Sequence, residues 1–329
     1  MLTLGVTSVG DFGDCRRKFA WHNIDRWRKA DFFLSRETGT LFHAWLEGYY
    51  TARKKGYTVS LAEVEGYAAL DEASSNLEYE LGYEFAEDIT SAFELATGMA
   101  QGYTDPFLWY EILEVEYPVQ YEVEGINIRG IIDLVVKDVD GNLIIVDHKT
   151  RSQFYPVDPF LLGMDQQLLT YAYLYEQLTG KRPDKVIHNE ILRVAPSRPN
   201  ILKNGSLSKA KTTLARTTYD LYLVTIEDEG LNRLDYVEEL AALKAQGADK
   251  FNRQIEITIL PEVYDNFTVN WTLALGDIQD MLQNRTWREY PNPSMYRCTK
   301  CVYREVCSAR ERGDDWAFML RTWFEQKEL

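Results

Sequence analysis

The sequence contains no hydrophobic run long enough to cross a bilayer. Its first residues also lack the basic-then-apolar order of a signal peptide. Positive charge is scarce, because 36 Lys and Arg residues stand against 51 Asp and Glu residues, which leaves a net charge of −15. We therefore expect a cytoplasmic protein without membrane contact. This charge argues against a protein that coats nucleic acid by bulk attraction, but it is compatible with a local basic groove.

The sequence also lacks internal repeats, low-complexity tails and a phosphate-binding loop. No G-x-x-x-x-G-K-[ST] segment occurs, which argues against a nucleotide-driven motor. At 329 residues, 45% of them hydrophobic, the chain is long enough to bury a full core in one or two domains.

Only four cysteines occur, and three of them are close together. Cys298, Cys301 and Cys307 have C-x2-C-x5-C spacing, whereas Cys15 stands near the other terminus. In a reducing cytosol, clustered thiols indicate a metal rather than disulfides. A four-thiolate site needs one more ligand, and Cys15 is the remaining candidate, so such a site would tie the two ends of the chain together. An iron–sulfur cluster and zinc both suit four cysteines, and incidental or structural thiols are the third alternative.

The segment 130–150 combines a hairpin signal with acidic and basic side chains. Two strand-like runs flank an Asp-Gly pair at 140–141, which is a strong signal for a tight turn. Because side chains alternate along a strand, the hairpin brings Asp133 beside Asp147 and Lys149. Two carboxylates and an ammonium group there suit a divalent metal held by oxygen ligands, with a lysine near the attacked group. A hairpin end with solvated charges is the alternative.

The remaining elements follow from hydrophobic periodicity and from turn residues. The pattern predicts helices at 36–55, 60–75, 83–103, 159–180, 220–246 and 261–285, and strands within 111–149, at 185–194 and at 253–260. This order predicts an α/β fold with a mixed central sheet flanked by helices.

One segment reverses the charge balance of the chain. Residues 193–219 contain six basic residues and no acidic one, namely Arg193, Arg198, Lys203, Lys209, Lys211 and Arg216. The Pro, Gly, Asn and Ser content of the segment predicts a loop. A mobile basic loop suits contact with a DNA phosphate backbone, and a solvated loop with a chance charge bias is the alternative.

Together these motifs resemble those of the PD-(D/E)XK nuclease superfamily, in particular its iron–sulfur branch of RecB-like and AddB-like nuclease domains and CRISPR-associated exonucleases. The resemblance is carried, in the order of the family, by the segment 8–19 around Cys15, Gly39-x3-His43-x3-Glu47, Gly130-x2-Asp133, Asp147-His148-Lys149, Gln167-x3-Tyr171 and the three late cysteines. Residues 200–255 match none of these motifs. No helicase motif accompanies them, so we expect a stand-alone nuclease of cellular or phage origin.

The resemblance implies a restriction-endonuclease-like fold with a helical, iron–sulfur-bearing region formed from both termini. One integrated nuclease domain is expected, with parts at 1–35 (first cysteine), 36–110 (helices with His43), 111–195 (nuclease core), 196–260 (basic loop and insertion) and 261–329 (C-terminal helices and cysteines). The implied metal ligands are His43, Asp133, Asp147 and the backbone carbonyl of His148. The other implied catalytic residues are Lys149, Gln167 and Tyr171. Glu47 is either a partner of these ligands or an exposed helix charge.

The resemblance further implies a Mg2+- or Mn2+-dependent DNA exonuclease that acts on single strands or duplex ends in recombination, repair or phage DNA processing. A [4Fe–4S] cluster is the expected ligand of the cysteines, with Zn2+ as the alternative. A recombination or single-strand annealing protein is a candidate partner, and Trp21, Phe154 and Tyr155 are candidates for base stacking. The competing functions are a structure-selective endonuclease of the same fold, a non-catalytic DNA-end binding module and a zinc-stabilised structural subunit.

Overall fold

A six-stranded mixed sheet forms the centre of the computed structural model, which describes residues 2–29, 32–246, 250–283 and 290–327. The strands are β1 (Leu2–Gly5), β3 (Glu111–Val123), β4 (Ile126–Lys137), β5 (Leu143–Arg151), β6 (Lys185–Leu192) and β7 (Asn252–Thr258). Their order is β1-β4-β5-β6-β7, with β3 also paired to β4. The pairs β1–β4 and β5–β6 are parallel, and the other pairs are antiparallel. The predicted mixed sheet is confirmed, and it takes β1 and β7 from outside residues 111–195.

Helices cover both faces of the sheet. One face packs against α3 (Leu34–Lys54), α4 (Val59–Leu81) and α5 (Ala86–Gln101), and the other packs against α1 (Ser8–Asp14), α7 (Gln166–Thr179) and α11 (Pro261–Gln283). The alternation of β5 sets the two cores: Ile145 packs with α7, whereas Ile144 and Val146 pack with α3. Within the described residues no helix combines the length and the apolar character needed to span a bilayer.

Two predicted helices are wrong in extent because local turn chemistry interrupts them. The helix predicted at 159–180 consists of α6 (Pro159–Leu162) and α7, and the Asp165 side chain caps α7 by accepting from the Leu168 N–H at 3.1 Å. The helix predicted at 220–246 is divided by Gly230, which has a φ of 60°. The two resulting helices are α9 (Tyr219–Asp228) and α10 (Val237–Gln246). Residues 284–285 of the helix predicted at 261–285 lie outside the described part of the chain.

An insertion between β6 and β7 forms a small helical unit with its own core. It contains α8 (Lys211–Leu214), α9 and α10, and its buried residues are Leu207, Tyr222, Ile226, Tyr236, Leu240 and Leu243. The Tyr236 hydroxyl accepts a hydrogen bond from the Leu207 backbone N–H at 3.0 Å, so the start of the insertion is anchored to its helices.

The two ends of the chain meet. Short strands β2 (Trp27–Arg28) and β8 (Glu325–Gln326) pair antiparallel. The surrounding helices are α2 (Arg16–Phe19), a π-helical turn at Ala20–Ile24, α12 (Met295–Thr299), α13 (Arg304–Arg312) and α14 (Trp316–Trp323). Trp21 packs edge-on against Tyr303 at 5.6 Å and stacks on Trp316 at 5.8 Å. Trp21 is buried there, so its interpretation as a base-stacking residue is wrong.

Candidate active site

Asp133 and Asp147 lie where the ladder between β4 and β5 ends. The predicted hairpin forms, with a loop in which Oδ1 of Asp138 accepts from the backbone N–H groups of Asp140 and Asn142. The last paired residues before the site are Leu134 and Val146. Just beyond them, Oδ2 of Asp133 accepts from the backbone N–H of His148 at 2.7 Å. The structure therefore places the carboxylates of Asp133 and Asp147 beside each other, as the hairpin pattern predicted.

The two oxygens of Asp147 have different surroundings. Oδ1 accepts hydrogen bonds from Nζ of Lys149 at 2.8 Å and from Nε2 of Gln167 at 3.2 Å. Oδ2 is buried and makes no hydrogen bond within the described residues, although Nε2 of His188 lies 3.2 Å away, outside hydrogen-bonding geometry. A buried carboxylate oxygen without a hydrogen bond is a suitable ligand for a cation.

His43, Glu116 and Asp133 form the group of metal-ligand type found within the described residues. Each contributes one ligand atom, and these three atoms lie within 4.8 Å of one another. Nδ1 of His43 is 3.9 Å from Oδ2 of Asp133. One nitrogen and two carboxylate oxygens at this spacing suit Mg2+ or Mn2+, with the nitrogen favouring Mn2+.

Glu116 belongs to this ligand group, although none of the sequence motifs contains it. Glu116 on β3 lies opposite Asp133 on β4, between the paired residues Val115–Leu134 and Tyr117–Ile132. Its backbone has a φ of 45°, a conformation that costs energy for a residue with a Cβ. The sequence holds the information needed to find Glu116. A two-residue turn at Glu124-Gly125 sets the register of β3 and β4 and places residue 116 opposite residue 133.

The acidic groups of the site oppose one another. Burial, followed by the charge of Asp147, raises the pKa of Asp133 to about 7. Burial, with the charges of Asp133 and Glu47, raises the pKa of Glu116 to about 8. Burial alone would raise the pKa of Asp147, but His188 and Lys149 outweigh it and hold that pKa below its usual range. Carboxylates crowded in this way gain most from a bound divalent cation.

His148 has its side chain on the face of the sheet opposite to Asp147 and Lys149. The ring stacks on Tyr50 at 5.8 Å, and its Nδ1 lies 2.8 Å from Nδ2 of Asn189. Burial lowers the pKa of His148 to about 3, so the ring is neutral. The side chain therefore anchors the backbone at residue 148, between Asp147 and Lys149, from the other face of the sheet.

Gln167 and Tyr171 lie one turn apart on α7 and face the site. Gln167 contacts Asp147, whereas the buried Tyr171 ring packs beneath Gly130. A Cβ added at Gly130 would lie 2.9 Å from Cε1 of Tyr171 and 2.7 Å from Cγ1 of Val6. Gly130 is thus required by close packing next to Asp133. Burial raises the pKa of Tyr171, so this phenol is neutral.

The four cysteines line one cavity of 270 Å³ between the two ends of the chain. Nη1 of Arg17 lies 3.2 Å from Sγ of Cys307 within hydrogen-bonding geometry, and the backbone N–H of Ser294 donates to Sγ of Cys298 at 3.4 Å. Burial raises the pKa of the Cys301 thiol. Cys15 therefore joins Cys298, Cys301 and Cys307 in space, although nearly the whole chain separates them.

The basic segment is less available to a ligand than its sequence suggests. Arg198 pairs with Asp228 at 2.6 Å, and Lys209 pairs with Glu239 at 3.2 Å. The other four basic residues have no ion pair within the described part of the chain; Lys203, Lys211 and Arg216 are exposed, and Arg193 is half-buried. Glu47 is not in the three-residue ligand group; it lines a groove between α3 and α4 and contributes its charge to Glu116.

Comparison with known proteins identifies the family. The family model of the PD-(D/E)XK nuclease superfamily matches residues 3–308. The crystal structure of SSO0001 is 12% identical, with a TM-score of 0.34, over 93% of this chain and 86% of that chain. A structure named "Putative exonuclease" from Eubacterium rectale is 9% identical, with a TM-score of 0.46, over 92% of this chain and 87% of that chain. No curated protein matches the sequence. The mixed sheet flanked by helices agrees with the restriction-endonuclease-like fold of the matched family, and the chain belongs to the PD-(D/E)XK nuclease superfamily.

Proposed function

We propose that this nuclease is a Mg2+- or Mn2+-dependent DNA exonuclease that hydrolyses phosphodiester bonds of single strands or duplex ends. The observation that carries the proposal is the convergence of His43, Glu116 and Asp133 beside Asp147 and Lys149. A non-catalytic DNA-end binding module is disfavoured, because a site without selection for catalysis would be expected to lose at least one of these groups. The choice of DNA and of exonucleolytic action rests on the motifs shared with the iron–sulfur branch.

The donor set fits a hard divalent cation. His43, Glu116 and Asp133 would hold it, because their ligand atoms have the spacing of a single-ion site. Asp147, which is not in that group, and the carbonyl of His148 are the further proposed ligands, and Oδ2 of Asp147 lies 3.2 Å from Nε2 of His188. When bound, the cation supplies positive charge to the phosphate oxygens and lowers the pKa of a coordinated water.

The protein's own groups position the reactants around this centre. Lys149 keeps its ammonium 2.8 Å from Oδ1 of Asp147, where it can orient the attacking water and offset charge on the phosphate in the transition state. Gln167 donates to the same oxygen, which holds the carboxylate plane, while Oδ2 faces Nε2 of His188 at 3.2 Å. Lys149 also keeps Asp147 ionised, because its charge lowers the pKa of that carboxyl.

An iron–sulfur cluster is the proposed ligand of the four cysteines. A single zinc ion holds sulfur at about 2.3 Å, so its ligand atoms lie within roughly 4 Å of one another. The thiols share one cavity, but within the described residues no three of them lie within 4.8 Å of one another. This spacing favours a larger cluster. Its role is structural: it would clamp α1 and α2 against α12 and α13.

We also propose a cellular location, a process and a partner for this nuclease. Thiols with metal-site spacing suit the reducing environment of the cytoplasm, which we propose as the location of the protein. If a phage encodes the protein, this is the cytoplasm of the host cell. Recombination or repair is the proposed process, and a single-strand annealing protein is the proposed partner.

The exonuclease proposal is tested with linear and covalently closed circular single-stranded DNA of one sequence. Protein purified without oxygen is incubated with each DNA and Mn2+ or Mg2+. We expect shortening of the linear DNA from an end and an intact circle. Nicking of the circle at a similar rate would replace the exonuclease with the endonuclease, and no cleavage of either DNA would favour the binding module.

A further inference from the structure

A row of charged side chains continues from Lys149 across the sheet, on the face that carries Asp147. Lys149 is in register with Glu190 on β6, and Glu190 is in register with Arg253 on β7. Arg151 is the next residue of β5 on this face, because side chains alternate along a strand. The proposed reaction centre therefore adjoins a cluster of Arg151, Glu190 and Arg253, which we name the arginine clamp.

Glu190 holds both arginines in place. Its Oε1 accepts from Nε of Arg151 at 3.1 Å, and its Oε2 accepts from Nε of Arg253 at 2.8 Å. The Glu190 side chain is 6% exposed, whereas the side chains of Arg151 and Arg253 are 38% and 27% exposed. One buried carboxylate thus serves two guanidinium groups. The clamp keeps a surplus positive charge on the solvent side.

The guanidinium groups retain donors for a ligand. Each guanidinium has five N–H groups. Within the described residues, the Arg151 guanidinium donates only through Nε, and Nη1 of Arg253 makes no hydrogen bond. Arg253 is further fixed because Nη2 donates to the Tyr155 carbonyl at 2.5 Å and Cζ lies 4.6 Å from the centre of the Phe154 ring. A group held in this way loses little conformational entropy when a ligand binds.

We infer that the arginine clamp binds the phosphodiester backbone of the substrate strand, at the nucleotide beside the scissile phosphate. The inference rests on the proposed nuclease function. Planar guanidinium groups match phosphate oxygens in a bidentate manner. Arg151 is two residues from Lys149 on one strand, about 7 Å along it, so the clamp contacts a neighbouring phosphate rather than the reacting one. In a chain with a net charge of −15, such a site gives the polyanion a local attraction beside the acidic centre.

A purely structural role is the competing explanation, since the cluster also ties β5, β6 and β7 together. Arg151→Gln distinguishes this structural role from DNA binding, because Arg253 remains as the partner of Glu190 and the Arg151 side chain is partly exposed. Arg151→Lys keeps the charge and loses the planar fork. Arg182→Gln is the matched control. Nε of Arg182 lies 3.0 Å from Oε1 of Glu176, and its Cζ lies over the Tyr264 ring, so it resembles the clamp arginines in its contacts. Arg182 precedes the start of β6, however, whereas Glu190 lies near the end of that strand.

The measurement is the anisotropy of a fluorescein-labelled single-stranded oligonucleotide in EDTA at several salt concentrations, followed by kcat and KM in Mn2+. For Arg151→Gln we expect an unchanged Tm, about tenfold weaker binding and higher KM, and little change in kcat. The slope of log K against log salt should fall by about 0.7, the share of one phosphate contact on a single strand. Arg151→Lys should restore this slope, and Arg182→Gln should match the wild type.

Two results would overturn the inference in distinguishable ways. If the wild type binds and cleaves DNA while Arg151→Gln keeps the wild-type affinity and salt slope, the clamp has only its structural role and the nuclease proposal stands. If the wild type neither binds nor cleaves DNA under any of these conditions, the proposed function fails and the clamp fails with it.

Discussion

The backbone N–H of His148 donates a hydrogen bond to Oδ2 of Asp133 over 2.7 Å. It joins β4 to β5 at the point where their regular ladder has ended, so the positions of the two acidic motifs depend on each other. The His148 ring, on the other face of the sheet, contacts Nδ2 of Asn189 at 2.8 Å and so anchors the backbone at this residue. A small shift of either strand would therefore change the separation of Asp133 and Asp147.

Glu116→Gln should weaken binding of Mn2+ because it removes one anionic oxygen from the group with His43 and Asp133. We expect the rise in Tm on adding Mn2+ to be clearly smaller than in the wild type, since a ligand stabilises in proportion to the logarithm of its concentration over Kd. The metal-free Tm should be equal or higher, because a crowded, half-buried carboxylate is removed.

Glu114→Gln is the control for that change. Glu114 lies two residues earlier on the same strand and pairs at the surface with Lys54 at 2.8 Å. An equal Mn2+ response of the Glu116 variant and the wild type would exclude Glu116 as a ligand.

Cys15→Ser should prevent assembly of the proposed iron–sulfur cluster, and with it the brown colour and iron content that such a cluster gives, because three thiolates remain where four are needed. The Tm should fall well below that of the wild type, since metal binding at such a site is coupled to folding. Asp14→Asn is the control, because Asp14 joins the two ends of the chain through Arg297 at 3.1 Å without being a ligand. Full iron in the Cys15 variant would show that the fourth ligand lies elsewhere.

Gly130→Ala should destabilise the protein by about 1–3 kcal/mol, because its Cβ has no room between Val6 and Tyr171. Gly276→Ala, inside α11 and with open space around its Cβ, should instead stabilise by up to about 1 kcal/mol. Chemical unfolding of both variants tests this pair. Equal stability of Gly130→Ala and the wild type would contradict the close packing of α7 on β4.

Stability should fall as the pH rises above about 10. Burial raises the pKa values of Tyr50 and Tyr103 well above their ordinary range, and their hydroxyls contact each other at 2.8 Å beside Asp105. Their contribution is complete below the unfolded pKa of about 10 and is lost above it, because only the unfolded chain releases these protons. Above that pH, the free energy of unfolding should fall by about 1.4 kcal/mol per pH unit for each phenol.

Unfolding by denaturant at a series of alkaline pH values, with tyrosinate absorbance as a second signal, measures this slope. Tyr79, which is 92% exposed, is the control position, and Tyr79→Phe should leave the slope unchanged. A free energy of unfolding that stays level above pH 10 would contradict the burial of these phenols.

Local patterns predicted the hairpin and the Asp133, Asp147 and Lys149 group because strand alternation and an Asp-Gly turn act over a few residues. The register of the preceding hairpin held enough information to add Glu116. The arginine clamp was beyond reach, because Arg151, Glu190 and Arg253 meet only through the lateral order of β5, β6 and β7. The burial of Trp21 likewise depends on tertiary packing, whereas the side-chain cap at Asp165 is local turn chemistry that hydrophobic periodicity does not detect.

Metal-dependent hydrolysis by the wild type and by Lys149→Ala tests the central claim most directly. End-labelled linear DNA is incubated with each protein in Mn2+ and in EDTA, with Lys137→Ala, a change at the exposed end of β4, as the control. We expect cleavage by the wild type and the control in Mn2+ only, and a loss of about 100-fold or more in kcat for Lys149→Ala, which should remain folded. Wild-type cleavage by Lys149→Ala, or cleavage by the wild type in EDTA, would contradict the proposed active site.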